Sequence, residues 1–305
     1  MSIKTTLKRN SVFSAVHGNF RVIFRSMLLN LSPTIATKYY YKKSLGKNLN
    51  LTNPTEFNEK IQWLKLNWQH PLVSKCGDKY AMREYVESCD SGEILNTLYG
   101  VYEDPSQIEW NKLPQKFALK ATHGCGFNII CDDKNKLDKE AVLQQLNKWM
   151  KVDYSNKNAE LHYKKMTPRI ICEEYIETDS GFFPDDYKIY CFNGKPQIVL
   201  VCTDRKMGYR RSLLNVDWEK IDITKEGYNF DPPNKPKCFD EMLKYAEVLS
   251  KPFPFVRVDF YDYNGKPSLG EMTFTPAAGV ANYYTDKGSK LLGGMLKLPK
   301  PYKQN

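Results

Sequence analysis

Apolar and polar positions alternate over residues 256–261, where Val256, Val258 and Phe260 interleave with Arg257, Asp259 and Tyr261. A period of two predicts a β-strand with one apolar face and one charged face, so Asp259 stands on a rigid element. Asn264-Gly265 then supplies the two positive-φ residues of a tight hairpin, and the chain returns through Ser268 and Leu269 to Glu271. A second Asn-Gly pair at 193–194 joins predicted strands over 186–192 and 197–202, and the first of these sets Asp186, Lys188 and Tyr190 on one face. Upstream, 117–120 and 127–131 read as strands on either side of a glycine-containing loop, and 169–176 reads as a strand ending in an acidic, aromatic segment.

Between these strands the period changes to that of a helix. Phe57, Ile61 and Leu64 line one face after Asn53-Pro54-Thr55-Glu56, which predicts a helix capped by Asn53 with Pro54 at its first position. Asp78-Lys79-Tyr80 opens another with Met82, Tyr85 and Val86 on its apolar side; Leu143, Leu146 and Met150 mark a helix over 137–150, and Phe239, Met242, Leu243, Ala246 and Leu249 one over 238–250. Near the N-terminus Phe20, Phe24, Met27, Leu28 and Leu31 recur at helical spacing among lysines and arginines. Such a segment is either an interfacial helix on an anionic leaflet or a helix packed on the body.

With 305 residues and 41% hydrophobic content the chain has material for ordinary cores. No run approaches the roughly 20 apolar residues of a membrane span, and no leader pattern is evident, which predicts a cytoplasmic protein. The eight cysteines are scattered without a CxxC pair and read as reduced structural thiols. A net charge of +10 calls for an acidic partner: nucleic acid, an anionic membrane or a phosphorylated substrate. Neither an aromatic RNA-binding strand nor a GxxG turn is present, which ranks nucleic acid lowest.

Three features carry candidate chemistry. Asp259 and Glu271, brought together by their hairpin, repel unless a cation or a shared proton lies between them, and two hard oxygen ligands suit Mg2+; ordinary exposed sheet carboxylates are the competing reading. Gly124 and Gly126 let a loop backbone close over phosphate, or simply turn a hairpin, and Lys120 at the strand end before them needs a counter-charge. The strand edge at Glu173, Glu174, Tyr175 and Ile176 can offer backbone groups to a purine and carboxylates to a ribose.

Taken in order, Asp78-Lys79, FALKATHGCG (117–126), EEYI (173–176), DYK (186–188), RVDF (257–260) and GEMTFTPAAG (270–279) resemble the ATP-grasp superfamily. NPTEFNEKIQWLK, DYKIYCFNGKP and GEMTFTPAAG resemble more narrowly its TupA-like branch, associated with bacterial surface polysaccharide and teichuronopeptide synthesis. The resemblance covers roughly residues 45–300 and implies an α+β fold in which two α+β subdomains grip ATP. The expected layout is a basic segment (1–48), a helical or α/β region (49–115), a lid subdomain (116–180) and a metal-binding catalytic subdomain (181–305). It implies that Lys79 and Lys120 hold the nucleotide phosphates under the loop of Gly124 and Gly126. Glu173, Glu174, Tyr175 and Ile176 become the adenine hinge, with Asp186 also on the nucleotide side. Lys188 faces the phosphates, and Arg257, Arg205 and Arg210 steady a transferred phosphate or a substrate carboxylate. Asp259 and Glu271 bind Mg2+, with Thr273 where many members of the superfamily have Asn. The implied activity is ADP-forming amide ligation through an acylphosphate, joining an amino acid or other amine to a uronic acid of a glycan or lipid-linked glycan. A phosphotransferase or glycosyltransferase of polysaccharide synthesis, and a non-catalytic membrane-docking protein, are the alternatives.

Overall fold

The computed structural model describes residues 22–177, 184–203 and 210–302. Helix α1 is described over 22–31, and α2 (Pro33–Leu45) follows after Ser32, whose side chain accepts from the Ile35 amide. Three helices come next: α3 (Phe57–Asn67), α4 (Pro71–Gly77) and α5 (Ala81–Ser88). A four-stranded antiparallel sheet is then built from β1 (Leu98–Tyr102), β2 (Phe117–Ala121), β3 (Asn128–Cys131) and β4 (Ile170–Glu174), in the order β1-β4-β2-β3, with helix α6 (Lys139–Met150) between β3 and β4 in the chain. The rest of the chain forms a larger antiparallel sheet from β5 (Asp186–Phe192), β6 (Lys195–Thr203), β7 (Arg210–Asn215), β8 (Phe255–Tyr263) and β9 (Lys266–Thr273), ordered β7-β6-β5-β8-β9. Helix α7 (Phe239–Ser250) precedes β8, and α8 (Asp286–Met295) follows β9.

The period-two strands divide their faces as expected. Val256, Val258 and Phe260 are fully buried against Met242, Ala246 and Leu249 of α7 and Met82 and Val86 of α5. On the opposite face Phe192, Phe255 and Tyr190 meet Phe57, Ile61 and Leu64 of α3 and Leu292 of α8. The large sheet is thus covered on both sides, and its charged residues occupy a short interruption in the second layer. The small sheet packs Phe117, Leu119, Ile170 and Cys172 on Val142 and Leu146 of α6, which leaves Ala118 and Lys120 on its other face.

Both Asn-Gly pairs make the expected turns: Asn193 and Gly194 have φ of 50° and 79°, Asn264 and Gly265 of 55° and 75°. Helix α3 departs from expectation. It begins at Phe57, not at Pro54, because Glu59 accepts from the amides of both Thr55 (2.9 Å) and Glu56 (3.1 Å) and satisfies the first turn from within. Asn53 instead closes a loop with Asn50, donating its amide to Asn50 Oδ1 at 3.0 Å. Helix α6 likewise starts two residues later than expected, capped by Asp138 Oδ1 on the Ala141 amide. Among the described residues no helix is long and apolar enough to cross a membrane.

Candidate active site

The register of the large sheet assembles a row of charge. Lys188 on β5 lies opposite Asp259 on β8, which lies opposite Glu271 on β9. In the adjacent row on the same face, Tyr190 lies opposite Arg257 and Arg257 opposite Thr273. A bulge after Asp259 sets Gly270 beside the pair; a Cβ at Gly270 would come within 2.9 Å of the Tyr261 ring, so the extra residue has to lack a side chain.

Cations stand between the two carboxylates. Arg257 donates to both oxygens of Asp259, Nε to Oδ1 and Nη2 to Oδ2, each at 2.6 Å, and Nη2 also reaches Glu271 Oε1 at 3.3 Å and Thr273 Oγ1 at 3.1 Å. Lys188 Nζ donates to Asp259 Oδ2 at 2.7 Å and lies 3.5 Å from Asp186. Asp259 is 2% exposed, so these contacts are made out of bulk water and are far stronger than surface ion pairs. Burial alone would raise the Glu271 carboxyl, but the charges of Lys79, Arg257 and Lys188 together hold it down to about 2. Lys188 shows the opposite balance: burial works against its charge, and Asp259 more than offsets it, so its pKa is raised.

Among the described residues no three His, Cys, Asp or Glu side chains converge. The donor set at the hairpin is therefore two carboxylates plus the Thr273 hydroxyl, which itself donates to Glu271 Oε1 at 3.0 Å. That set fits Mg2+, which takes one or two carboxylates and completes its octahedron with water and phosphate oxygens. Asp259 already accepts three donors, one on Oδ1 and two on Oδ2, which leaves Oδ1 the oxygen with room for a metal.

The small sheet carries a separate cluster. Lys120 Nζ donates to Glu173 Oε2 at 2.7 Å, and Arg83 on α5 approaches the other oxygen at 3.4 Å while donating to the Asn96 carbonyl at 2.8 Å. Glu174 receives the Thr97 hydroxyl at 2.9 Å and the Tyr263 hydroxyl at 3.2 Å, which ties β4 to the large sheet. Between the sheets lies a cleft lined by Ala118, Lys120, Ile130, Tyr175, Ile176 and Tyr261 among others. Flat apolar walls with one ammonium at the edge suit a heteroaromatic base attached to an anionic group.

The glycine loop lies close to both clusters. Lys79 donates to the Gly124 carbonyl at 2.7 Å and adds its charge at Glu271. Gly126 has φ of 77°, a left-handed conformation that favours glycine, whereas Gly124 is required by packing: a Cβ there would meet Phe127 at 2.7 Å and Tyr154 at 2.8 Å. His123 is buried in the same loop against the Trp149 carbonyl, 3.1 Å from Nε2, and burial pushes its pKa down; it braces the loop as a neutral ring.

Lys79, Lys188, Arg257, Asp259, Glu271 and Thr273 are therefore brought together, and Lys120, Glu173, Glu174, Tyr175 and Ile176 gather around the neighbouring cleft. Asp186 lies one same-face step beyond Lys188, opposite Tyr261. Arg210 is not drawn in: it begins the far edge strand β7, three strand spacings or roughly 14 Å across the sheet from β8, with its guanidinium over Phe230 at 5.6 Å. Arg205 lies outside the described residues. Sequence reasoning missed Arg83, whose position one helical turn after Lys79 was the available signal, and Lys65, Glu160 and His162, for which no local pattern existed.

The profile of a family described as TupA-like ATPgrasp matches residues 59–297. No curated protein matches the chain. Among solved structures, the D-alanine--D-alanine ligase from Bacillus anthracis is similar at 16% identity over 74% of this chain and 65% of that one, with a TM-score of 0.45. The ATP-grasp ligase PsnB complexed with its minimal precursor is similar at 12% identity over 75% and 62%, with a TM-score of 0.40. The chain thus spans less than two thirds of the length of these ligases.

Proposed function

The chain belongs to the TupA-like ATP-grasp family and has its α+β fold, and from that premise we propose that it is an ATP-dependent, ADP-forming ligase joining the amine of an amino acid to a uronic-acid carboxylate of a surface polysaccharide. The observation that carries the reading is the row Lys188, Asp259 and Glu271 with Arg257 beside it: three cations including Lys79 around two carboxylates, next to the cleft that Tyr261 lines. Lys120 and Lys79 hold the nucleotide phosphates, with Glu173, Glu174, Tyr175 and Ile176 along the base. Asp259 and Glu271, with Thr273, hold Mg2+, which when bound neutralises phosphate charge. Phosphoryl transfer asks a protein for positioning and charge more than for a covalent nucleophile, and buried, pre-oriented cations meet that demand.

In the proposed reaction a carboxylate oxygen attacks the γ-phosphorus and ADP leaves with the bonding pair. The amine nitrogen then attacks the acyl carbon, the C–O bond to phosphate breaks, and the amine loses a proton to solvent. Arg257 and Lys188 face the transferring group and compensate its charge. The test is a product assay with ATP, oligoglucuronate and single amino acids. ADP and phosphate formed only when both acceptors are present is the expected result; AMP, or sugar transfer without ATP, overturns the reading.

The same proposal places the enzyme at an anionic leaflet, where lipid-linked glycans reside. Val22, Ile23, Met27, Leu31 and Ile35 are each at least half exposed along α1 and the start of α2, while Leu29 and Ala36 pack inward, so an apolar strip faces outward beside Lys38, Lys42 and Lys43. Full-length protein is expected to co-sediment with phosphatidylglycerol vesicles, and a form lacking residues 1–45 is not; equal pelleting removes this part.

A further inference from the structure

Functions are laid out in order along one face of β8. Tyr261 lines the base cleft, Asp259 pairs with Lys188 and faces Glu271, Arg257 follows, and Phe255 ends the series, with about 7 Å between successive same-face residues. Phe255 borders a second, smaller cleft whose lining includes Lys65, Trp68, His162, Phe274 and Thr275. It lies one step beyond Arg257 on the side away from the base, where a second substrate must stand if the phosphates lie toward Asp259.

Lys65 is the unexplained group in this cleft. It is 7% exposed, and among the described residues its ammonium makes one hydrogen bond, to the Asn158 carbonyl at 2.9 Å. Glu160, 5% exposed, accepts from the Thr275 hydroxyl at 2.5 Å and adds its charge at Lys65. An ammonium has three donors, and burying two of them unused is costly unless something else accepts. The desolvated surroundings push Lys65 down to about 8, which still leaves it cationic at neutral pH, and they push His162 down to about 3, so no second cation competes.

We propose that the cleft of Lys65, Trp68, His162, Phe255 and Phe274 binds a small α-amino acid with an apolar side chain, its carboxylate on Lys65 and its side chain against the aromatic walls. A carboxylate destined for phosphorylation has to lie beside Arg257. One held by Lys65, a step deeper, is therefore a spectator, and the amine of the same molecule is the group left to point toward the reacting end. The assignment rests on the ligase reading for the amine's role as nucleophile, whereas the binding itself requires neither ATP nor turnover.

The test is saturation-transfer NMR and calorimetry on the full chain with L-alanine, L-valine, L-valinamide and glucuronic acid, each with and without Mg-ADP. L-Valine or L-alanine is expected to bind, with L-valinamide at least tenfold weaker, and Lys65→Met is expected to lower amino-acid affinity at least tenfold while Mg-ADP affinity stays within twofold. Equal binding of L-valine and L-valinamide, no amino-acid binding at all, or glucuronic acid in place of the amino acids overturns the proposal, the last by making Lys65 a ligand of the acyl donor. Should Lys65→Met fail to fold, the acid-against-amide comparison on the unaltered protein decides alone. A failure here with ADP formation intact leaves the ligase reading standing; loss of Mg-ADP binding in the unaltered protein strikes that reading instead.

Discussion

Lys188 and Lys65 are both buried lysines near one face of the same sheet, yet their surroundings drive them in opposite directions. Lys188 lies 2.7 Å from Asp259 and 3.5 Å from Asp186, and its pKa is raised despite burial. Lys65 meets a single carbonyl, and burial takes it down to about 8. A paired buried charge is compensated at rest and has to be released before it can serve a ligand. An unpaired one already carries a cost that a ligand can remove. The charged row at Asp259 therefore resembles a latch, and the Lys65 cleft a receptor.

The largest effect is expected from breaking the latch at its centre. Asp259→Ala leaves Arg257 and Lys188 buried without their shared carboxylate, and removal of one partner from such a cluster costs about 3–5 kcal/mol. Urea unfolding should show a loss of that size, and a second substitution, Lys188→Met, should recover part of it; additive losses would show that the two do not share a site.

Removal of single cations proposed to face the phosphates comes next. Lys120→Ala and Lys188→Ala are each expected to weaken a nonhydrolysable Mg-ATP analogue by about tenfold to a hundredfold, the range for one charge-assisted hydrogen bond. Calorimetry with unchanged affinity in both variants would dismiss the nucleotide assignment.

Lys65→Met should sharpen the contrast by changing stability in the opposite sense. The folded pKa near 8 lies below the unfolded value of about 10.4, so the native state binds fewer protons than the unfolded state between these values, and stability rises with pH through that window. Below pH 8 the full cost of the charged lysine is present, roughly 3 kcal/mol, and the orphaned Asn158 carbonyl returns about 1 of it. Thermal unfolding at pH 7 should therefore show Lys65→Met more stable by about 2 kcal/mol, with the gain fading between pH 8 and 10.4. A destabilised variant at pH 7 would mean that Lys65 already has its partner.

A smaller loss is expected at the loop. Gly124→Ala drives a methyl into Phe127 and Tyr154, which has to cost about 1–3 kcal/mol or shift the loop. Stability measured by urea unfolding should fall by that amount, and nucleotide affinity with it if the Lys79 contact to the Gly124 carbonyl orders the loop.

Much of the charged face was legible because it depends on local rules. Alternation puts Arg257 and Asp259 on the same side of β8, and the Asn-Gly turn fixes the register as far as Phe260 opposite Leu269; the bulge beyond it, not the turn, sets Glu271 in place of Gly270 against Asp259. The helices were legible as apolar stripes, although the start of α3 was not, since Glu59 competes with Asn53 for the role of cap and wins from inside the first turn. Arg83 escaped notice because an arginine on a short helix is ordinary until Glu173 is seen to face it.

What the sequence determined by itself is the set of strands, their hairpin turns and the faces on which Lys188, Arg257 and Asp259 stand, because period and turn chemistry act over a few neighbouring residues, whereas the face of Glu271 depends on the bulge at Gly270. Tertiary structure alone decided which charges neutralise one another and which do not. Lys65 on α3, Glu160 after α6 and Thr275 after β9 lie nearly a hundred or more positions apart, and only the packing of α3 and the 161–165 turn against the end of the large sheet brings Lys65 and Thr275 to one cleft and Glu160 onto the Thr275 hydroxyl. The cost or use of a buried charge depends on solvent exclusion and on partners distant in sequence, and neither is written in a local pattern.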